Sequence, residues 1–552
     1  MIPLSASKSP SPIALKMGMA VAGNECYPCS MPASYRIPRV FTVCCATLLF
    51  ASLLAGAAPS IDDPAAGLKL DWTSALPWHR AIDVSTMPGT RISEKLDAAQ
   101  KRLAADGGGV VWFPPGTYRF EDHIDLLDGI ILRGAPPAAG QDNPLENSYQ
   151  LATRFEFPEF EFKATGNGTP IDTAFKSIRL ANPASASGNG VIHLSINRGH
   201  ILFKQGENAT CGMNRVIFGC ILRNTAFADP GIPDAKIGQK PWQRHTWRFG
   251  AAIDVQSSAN LLIANNRIPR SGDDDFTMDG YIVLDRNKQP VAIDGVPFDY
   301  DNRPGIYANH ASLGGPGGVG PNGTPESHPH GFRKGTVIHR NFIFSTGRCA
   351  IGFSGDGTVA THNVIRFAKD VWRPTATGRE RTSGSSTNDN RAMEIRGWRW
   401  NVSHNDFEVH RNWSYDRKYP INDGEGLMHE DHCNSSILDS VMRGNKGNAY
   451  LSLYKTAGID GLLIEENDIR PPGAASSIAP IFVSANRTQE PFPIRNVTIR
   501  NNRTNGSIHI EGQPAENLLI EGNHHLGDGS GLIRNLAGAT IRNNHGFREE
   551  MP

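Results

Sequence analysis

Several things are missing from this sequence, and each absence excludes a class. There is no basic excess: 55 Lys and Arg balance 55 Asp and Glu, so the formal net charge is zero. A nucleic-acid partner normally calls for a basic surplus, and an acidic disordered chain for the opposite; neither is expected. Cysteine is scarce where it would matter. Of the 8 Cys, Cys26, Cys29, Cys44 and Cys45 fall in or before one N-terminal apolar segment. Cys211, Cys220, Cys349 and Cys433 remain, too few for a disulfide scaffold. A Cys211–Cys220 bridge is left open by the sequence. No Cys/His spacing matches a zinc site. Beyond Val40–Ala57 no run is long and apolar enough to span a bilayer. What is present is turn-forming: 57 Gly and 38 Pro in 552 residues, with aromatics at 8%, enough for a core.

The one apolar run follows Arg36 and Arg39 and ends at Ala55-Gly56-Ala57. A basic stretch, an apolar stretch and small residues at its end describe a secretory signal. The expectation is a secreted or periplasmic protein, residues 1–58 being an extension and signal peptide, with no stable membrane insertion after cleavage. A single membrane anchor is the alternative, since 18 residues nearly span a bilayer.

The chain repeats. Two or three aliphatic residues, one or two polar residues, an Asn and another apolar residue recur as LLIANNRI at 261–268, TVIHRNFI at 336–343, TVATHNVI at 358–365 and LLIEENDI at 462–469. Related copies end in NLLIEGNH at 517–524 and ATIRNNHG at 539–546. Asn341 to Asn363, Asn445 to Asn467 and Asn501 to Asn523 are each 22 residues apart. A period near 22 built of short strands and turns denotes a solenoid, and alternation of period two within each copy denotes strands with one face inward. Asn tolerates left-handed backbone at turns, and stacked Asn side chains hydrogen-bond along a ladder. The expected fold is all-β: a single-stranded right-handed parallel β-helix (solenoid) over 86–546, of about fifteen coils once loops are discounted, with an N-terminal cap helix and long inter-coil loops. Residues 59–85 form a linker or N-terminal arm, and 547–552 a tail.

The segment TRISEKLDAAQKRLAADGGGVVWFPPGTYRFEDHIDLLDGIILRGAPP, Thr90–Pro137, resembles the opening of pectate-lyase-superfamily proteins. The resemblance implies a short amphipathic helix capping the solenoid, then a Gly-rich turn, a strand and a Pro-Pro-Gly-x-Tyr turn. Ile92, Leu96, Ala99 and Leu103 share one helical face without analogy. The superfamily includes polysaccharide lyases, glycoside hydrolases, epimerases, phage tailspikes and adhesins, so the resemblance specifies fold and leaves function open.

Insertions in a solenoid map to loops on one face, often the binding face. Two are expected, near 270–335 and 366–391. Around them lie the ionisable stretches RAMEIRGWRWN at 391–401, EGLMHEDHCN at 425–434 and NAYLSLYK at 448–455. If consecutive coils stack, Glu394 and Arg396 lie near His429, Glu430 and His432, with Tyr450, Tyr454 and Lys455 one coil on. HEDHCNSSILDSVMRGN at 429–445 resembles the segment around the catalytic His of alginate C5-epimerases, although Leu427-Met428 stand where that family has Asp-Pro. SGDDDF at 271–276 resembles the Gly-Asp-Asp strand of polygalacturonase-type enzymes, without the accompanying Asn-Thr-Asp and Gly-His-Gly.

Three functions compete. A lyase or C5-epimerase acting on a uronate glycan must remove a proton beside a carboxylate, which requires a base and a cation to hold the charge. His429 or Lys455 is then the base, Tyr450 or Tyr454 the acid and Arg396 the neutraliser, with Glu394 and Glu430 in the same constellation. Trp398, Trp400, Arg399, His432 and Tyr450 would contact polysaccharide, and Ca²⁺ held by Asp273, Asp274 and Asp275 could replace the Arg. A glycoside hydrolase needs two carboxylates, from Asp273–Asp275 or from Glu394 and Glu430. A non-catalytic secreted adhesin or surface protein is the third reading, against which the long loops argue.

Overall fold

The structure is a computed structural model. It describes residues 61–158, 176–181, 188–203, 212–223, 252–255, 258–269, 305–308, 334–345, 349–368, 391–410, 437–453, 458–471, 479–485, 494–534 and 537–550. Three short antiparallel strand pairs between 277 and 381 are also described.

Nearly every other strand pairs in parallel with a strand one coil away. A first sheet has 14 strands, a second has 12, and the third face carries separate sheets of 7 and 5. The chain visits them in a fixed order, as in Ile306–Ala308 (third), Thr336–His339 (first), Phe342–Ser345 (second) and Cys349–Phe353 (third again). This is a right-handed parallel β-helix.

Alternation makes its core. In the first sheet Val111, Leu132, Val191, Ile217, Ile263, Ile338, Ala360, Val402, Met442, Ile464, Ile499, Ile520 and Ile541 stand in one register row. All belong to one apolar interior. Burying each large aliphatic chain contributes about 1.5–3 kcal/mol, and in a solenoid that burial exists only against the neighbouring coils.

The repeat Asn occupies the corner between first and second sheets. Nine residues, Asn266, Asn341, Asn363, Asn405, Asn445, Asn467, Asn502, Asn523 and Asn544, form a continuous ladder. Each Oδ1 after the first accepts from the backbone N–H and the Nδ2 of the rung before it, at 2.9–3.1 Å. The remaining Nδ2 proton of each goes to a backbone carbonyl of the coil behind, such as Asn405 to Ala360. Both donors and both lone pairs of an interior rung are therefore satisfied. At the upstream end the Cys220 N–H donates to Asn266 Oδ1 at 2.9 Å. Cys220 itself is a free, buried thiol.

Asn501 is not a rung; Asn502 is. The residue before each rung, and not the rung, takes the left-handed conformation: Asn265, Arg340, His362, His404, Gly444, Glu466, Asn501, Gly522 and Asn543 have φ of 53–63°. Asn-Asn pairs hide this shift of one residue, because either Asn suits either position.

A helix spans Ile92–Ala105, with Leu96, Ala99 and Leu103 buried in the same interior as the first strands. Gln100 fastens it, donating to Asp125 O at 3.2 Å and accepting from Leu127 N–H at 3.0 Å. The Gly107–Gly109 turn, the strand Gly109–Phe113 and the strand Gly116–Arg119 follow. Tyr118 closes the Pro-Pro-Gly turn by donating to Pro114 O at 2.9 Å.

Residues 61–78 pack across the outside of the first sheet. Ile61, Ala65, Leu76 and Trp78 form a second apolar cluster with Val110, Ile131, Ile192, Val216, Phe218, Leu262 and Ala264. Trp78 Nε1 donates to Thr73 O at 2.8 Å and Thr73 Oγ1 to Asp63 Oδ2 at 2.6 Å, which stiffens the segment.

The insertion expected over 270–335 is interrupted by a solenoid strand, since Ile306–Ala308 pairs with Ile253–Val255 on one side and with Cys349–Phe353 on the other. Likewise 366–391 begins in the second-sheet strand Val364–Ala368 and ends in the third-sheet strand Arg391–Ile395.

Candidate active site

The outer side of the seven-stranded third sheet concentrates ionisable groups. Its strands place an apolar residue inward on either side of one outward residue: Ile253-Asp254-Val255, Ile306-Tyr307-Ala308, Ile351-Gly352-Phe353 and Met393-Glu394-Ile395. Asp254, Tyr307, Gly352 and Glu394 are consecutive register partners, so they form one row along the outer face. The row continues upstream through Leu202, Arg179 and Asp125. Arg179 clasps Asp125 with two bonds of 2.5 and 2.6 Å.

These outward positions are nevertheless shielded. Asp254 is 2%, Tyr307 8% and Glu394 0% exposed. Arg396, two residues after Glu394 and hence on the same face, is 1% exposed, and its Nη2 donates to Glu394 Oε1. A buried charge is tolerated when paired, and each of these two compensates the other. Gly352 puts no side chain between Tyr307 and Glu394. Two strand steps at roughly 4.8 Å separate the backbones of Tyr307 and Glu394 by about 10 Å.

Some expected site residues lie elsewhere. Trp400 is 1% exposed and part of the main apolar interior. Trp398 is likewise 1% exposed. Neither ring lies bare on the surface, and both are as shielded as Glu394 and Arg396. The W-R-W spacing reads as surface only if the strand is exposed on one side, and here both rings are enclosed. Arg399 turns away from the row: its Nε donates to Asp356 Oδ1 at 2.6 Å in a two-point ion pair. Tyr450 is 3% exposed and precedes the strand Leu451–Leu453, which belongs to the five-stranded sheet of the third face and does not pair with Arg391–Ile395. His429, Glu430, His432, Tyr454, Lys455, Asp273, Asp274 and Asp275 lie outside the described residues. Among the described residues no group of three or more His, Cys, Asp or Glu is placed to hold a metal.

Asp254 and Tyr307 were not singled out from the sequence, although a signal existed. The triplets I-D-V, I-Y-A and M-E-I each set one ionisable residue between two apolar ones in a short strand, which places it outward.

No family model matches the chain, and no curated protein is similar to it in sequence. Solved structures of pectate-lyase-like parallel β-helix proteins are similar in fold. The A-module of mannuronan C-5 epimerase AlgE6 from Azotobacter vinelandii is 12% identical, with 84% of this chain and 97% of that one covered and a TM-score of 0.35. A hyperthermoactive exopolygalacturonase from Thermotoga maritima is 11% identical, with 84% and 91% covered and a TM-score of 0.36. PfbA, a surface adhesin of Streptococcus pneumoniae, is 12% identical, with 84% and 90% covered and a TM-score of 0.35. The three differ from one another in what they do.

Proposed function

We propose that this protein is a carbohydrate-active β-helix enzyme that works on the outer face of the third sheet, removing the proton beside the carboxylate of a uronate residue as a lyase or C5-epimerase does. One observation carries the proposal: Asp254, Tyr307 and Glu394 share a single outward register row with Arg396 beside it, all shielded from solvent. Ionisable groups gathered out of water on an outward face are characteristic of reactive sites.

Proton abstraction next to a carboxylate needs three parts: a base, an acid and a cation facing the developing charge. Arg396 is the cation and Tyr307, two strands away, the acid. His429 of the His-Glu-Asp-His run is assigned as base, with Lys455 as its substitute. A hydrolase fits the row less well. Its two carboxylates stand roughly 6.5–9.5 Å apart when inverting and closer when retaining, whereas Asp254 and Glu394 are three strand steps apart, about 14 Å. Calcium at Asp273–Asp275 is the alternative neutraliser; with Arg396 in that role, a chelator is expected to leave turnover unchanged.

A polymer substrate implies action outside the cytoplasm, so export through 40–57 with cleavage after Ala57 belongs to the same proposal and is read by N-terminal sequencing of the exported protein. The test of the chemistry is a panel of uronate and neutral polysaccharides in D₂O. Unsaturated product marks a lyase, and deuterium at C5 without chain cleavage marks an epimerase. Reducing ends with neither would replace this proposal by the hydrolase, and no change in any polymer by the adhesin reading.

A further inference from the structure

A second cluster lies on a different part of the coil, at the corner between the first and second sheets. Arg340, His362 and His404 are the left-handed residues preceding three successive rungs, Asn341, Asn363 and Asn405. They therefore project at one register position from three successive coils. His339, at the end of its strand, completes the group. The His339 and His362 ring centroids are 5.4 Å apart and those of His362 and His404 5.1 Å. In the next coil the position is Gly444, where an added Cβ would lie 2.5 Å from His404 Nδ1, so the His404 ring extends over that glycine. His362 and His404 are exposed, and His339 and Arg340 half-buried.

Left-handed backbone favours Gly or Asn, and a larger side chain there costs on the order of 1 kcal/mol. Asn265, Gly444, Asn501, Gly522 and Asn543 meet that preference at the same position in other coils. Three consecutive coils depart from it with cationic or protonatable residues, and Glu466, two coils beyond His404, departs from it with a carboxylate.

The charges around the group are mostly of one sign. Burial lowers the His339 and His362 pKa values first, and the neighbouring imidazoles and Arg340 lower them further. From the following coil Arg443 faces the group, but Glu465 occupies it and is shared with Arg500. Arg340 Nη2 donates to Asn143 Oδ1 at 2.9 Å in the loop after the strand Ile130–Gly134. Behind Asn143 stands Glu146, bonded to Asn143 Nδ2 at 2.7 Å and not to Arg340. His339 Nδ1 is bonded to Thr361 Oγ1 at 3.0 Å. Among the described residues no carboxylate is paired with any of the three rings.

We propose that Arg340, His362 and His404, with His339 behind them, form an accessory binding strip for an acidic polysaccharide that engages on acidification. Its choice of a uronate glycan as ligand rests on the function proposed above; the strip itself rests on its own geometry. The spacing between rings is about that of successive sugars in an extended 1,4-linked chain. Each imidazole presents an N–H to a carboxylate when protonated and a flat face to a pyranose ring. The strip is at the corner between the first and second sheets, while the candidate active site is on the third. It would hold polymer to the enzyme without taking part in the chemistry.

Hexagalacturonate binding to the full-length Tyr307→Phe protein, measured by calorimetry at pH 5.0 and 7.5, tests this. Affinity should be at least tenfold tighter at pH 5.0. The His362→Gln/His404→Gln double variant in the same background should lose that tenfold gain. The imidazole resonance of His362 should titrate at higher pH with the hexamer present. Equal affinity at both pH values, equal binding of a neutral hexasaccharide, full competition by an equal concentration of inorganic phosphate, or a double variant that binds as before would each overturn the strip. The double variant built on the unaltered chain should keep its turnover at saturating substrate. Failure of the strip thus shows in binding alone, and failure of the proposed function in product formation alone.

Discussion

At the scale of single residues the stability of this chain depends on buried polar groups that are fully paired. Asn405 accepts from Asn363 and donates to Asn445 and to Ala360 O. Asn405→Ala strands several of these groups in the interior, and at about 1–3 kcal/mol for each it should lower unfolding stability by roughly 3–5 kcal/mol, read as a drop in urea midpoint. Asn501→Ala, one position before a rung, should cost only about 1 kcal/mol for its left-handed backbone, and Asn501→Gly less. Equal effects at Asn405 and Asn501 would contradict the assignment of rungs. His193 supplies an acid-sensitive term. Burial pushes its pKa down to about 3, with Arg133 adding to the shift. In the unfolded chain it binds a proton below about pH 6.5. Its contribution is therefore complete above that pH and is lost as pH falls from about 6.5 toward 3, by up to about 1.4 kcal/mol per unit. His193→Asn, which accepts the left-handed φ of 50°, should flatten stability between pH 6.5 and 4.5 even if it lowers it at pH 8; an unchanged slope would count against this.

At the scale of elements the segment 61–78 behaves as part of the body and not as a tether. Trp78 is 7% exposed, and its cluster spans strands from Val110 to Ala264. Trp78→Ala should cost about 3–5 kcal/mol, and removal of everything before Ala81 should expose the apolar outer row and raise binding of a hydrophobic dye. A truncated protein with the dye response and melting point of the full chain would show that the contact is dispensable. The sequence signals this segment only weakly, because Leu68, Leu70, Trp72, Leu76 and Trp78 carry no clean period and their partner is the outside of a sheet. By contrast the helix at Ile92–Ala105 and the repeat corners were legible, since a helical face and a 22-residue Asn spacing each follow from one local rule. The site was legible only in part. Glu394 and Arg396 stand out as ionisable residues in a strand, but whether Trp398 and Trp400 face solvent or interior depends on how the chain turns after Ile395, which alternation alone does not settle.

At the scale of the whole molecule the stacked coils convert sequence repeats into rows, and rows into function. The same register that aligns Ile253, Ile306, Ile351 and Met393 inside aligns Asp254, Tyr307, Gly352 and Glu394 outside. Hydrogen-bonded strands hold the groups of this row in fixed relation, which is what proton transfer requires. Arg396 is a poor single probe, because removing it takes a partner from the buried Glu394 carboxylate and so perturbs stability together with chemistry. Tyr307→Phe removes one hydroxyl and keeps the ring. The most direct measurement is therefore kcat/KM of Tyr307→Phe on the uronate polymer that the unaltered protein turns over, with the urea midpoint recorded alongside. The account predicts a loss of 10²–10⁴-fold, the usual weight of a general acid, at a midpoint close to that of the unaltered protein. A Tyr307→Phe protein that keeps full turnover would place the chemistry away from the third-sheet row.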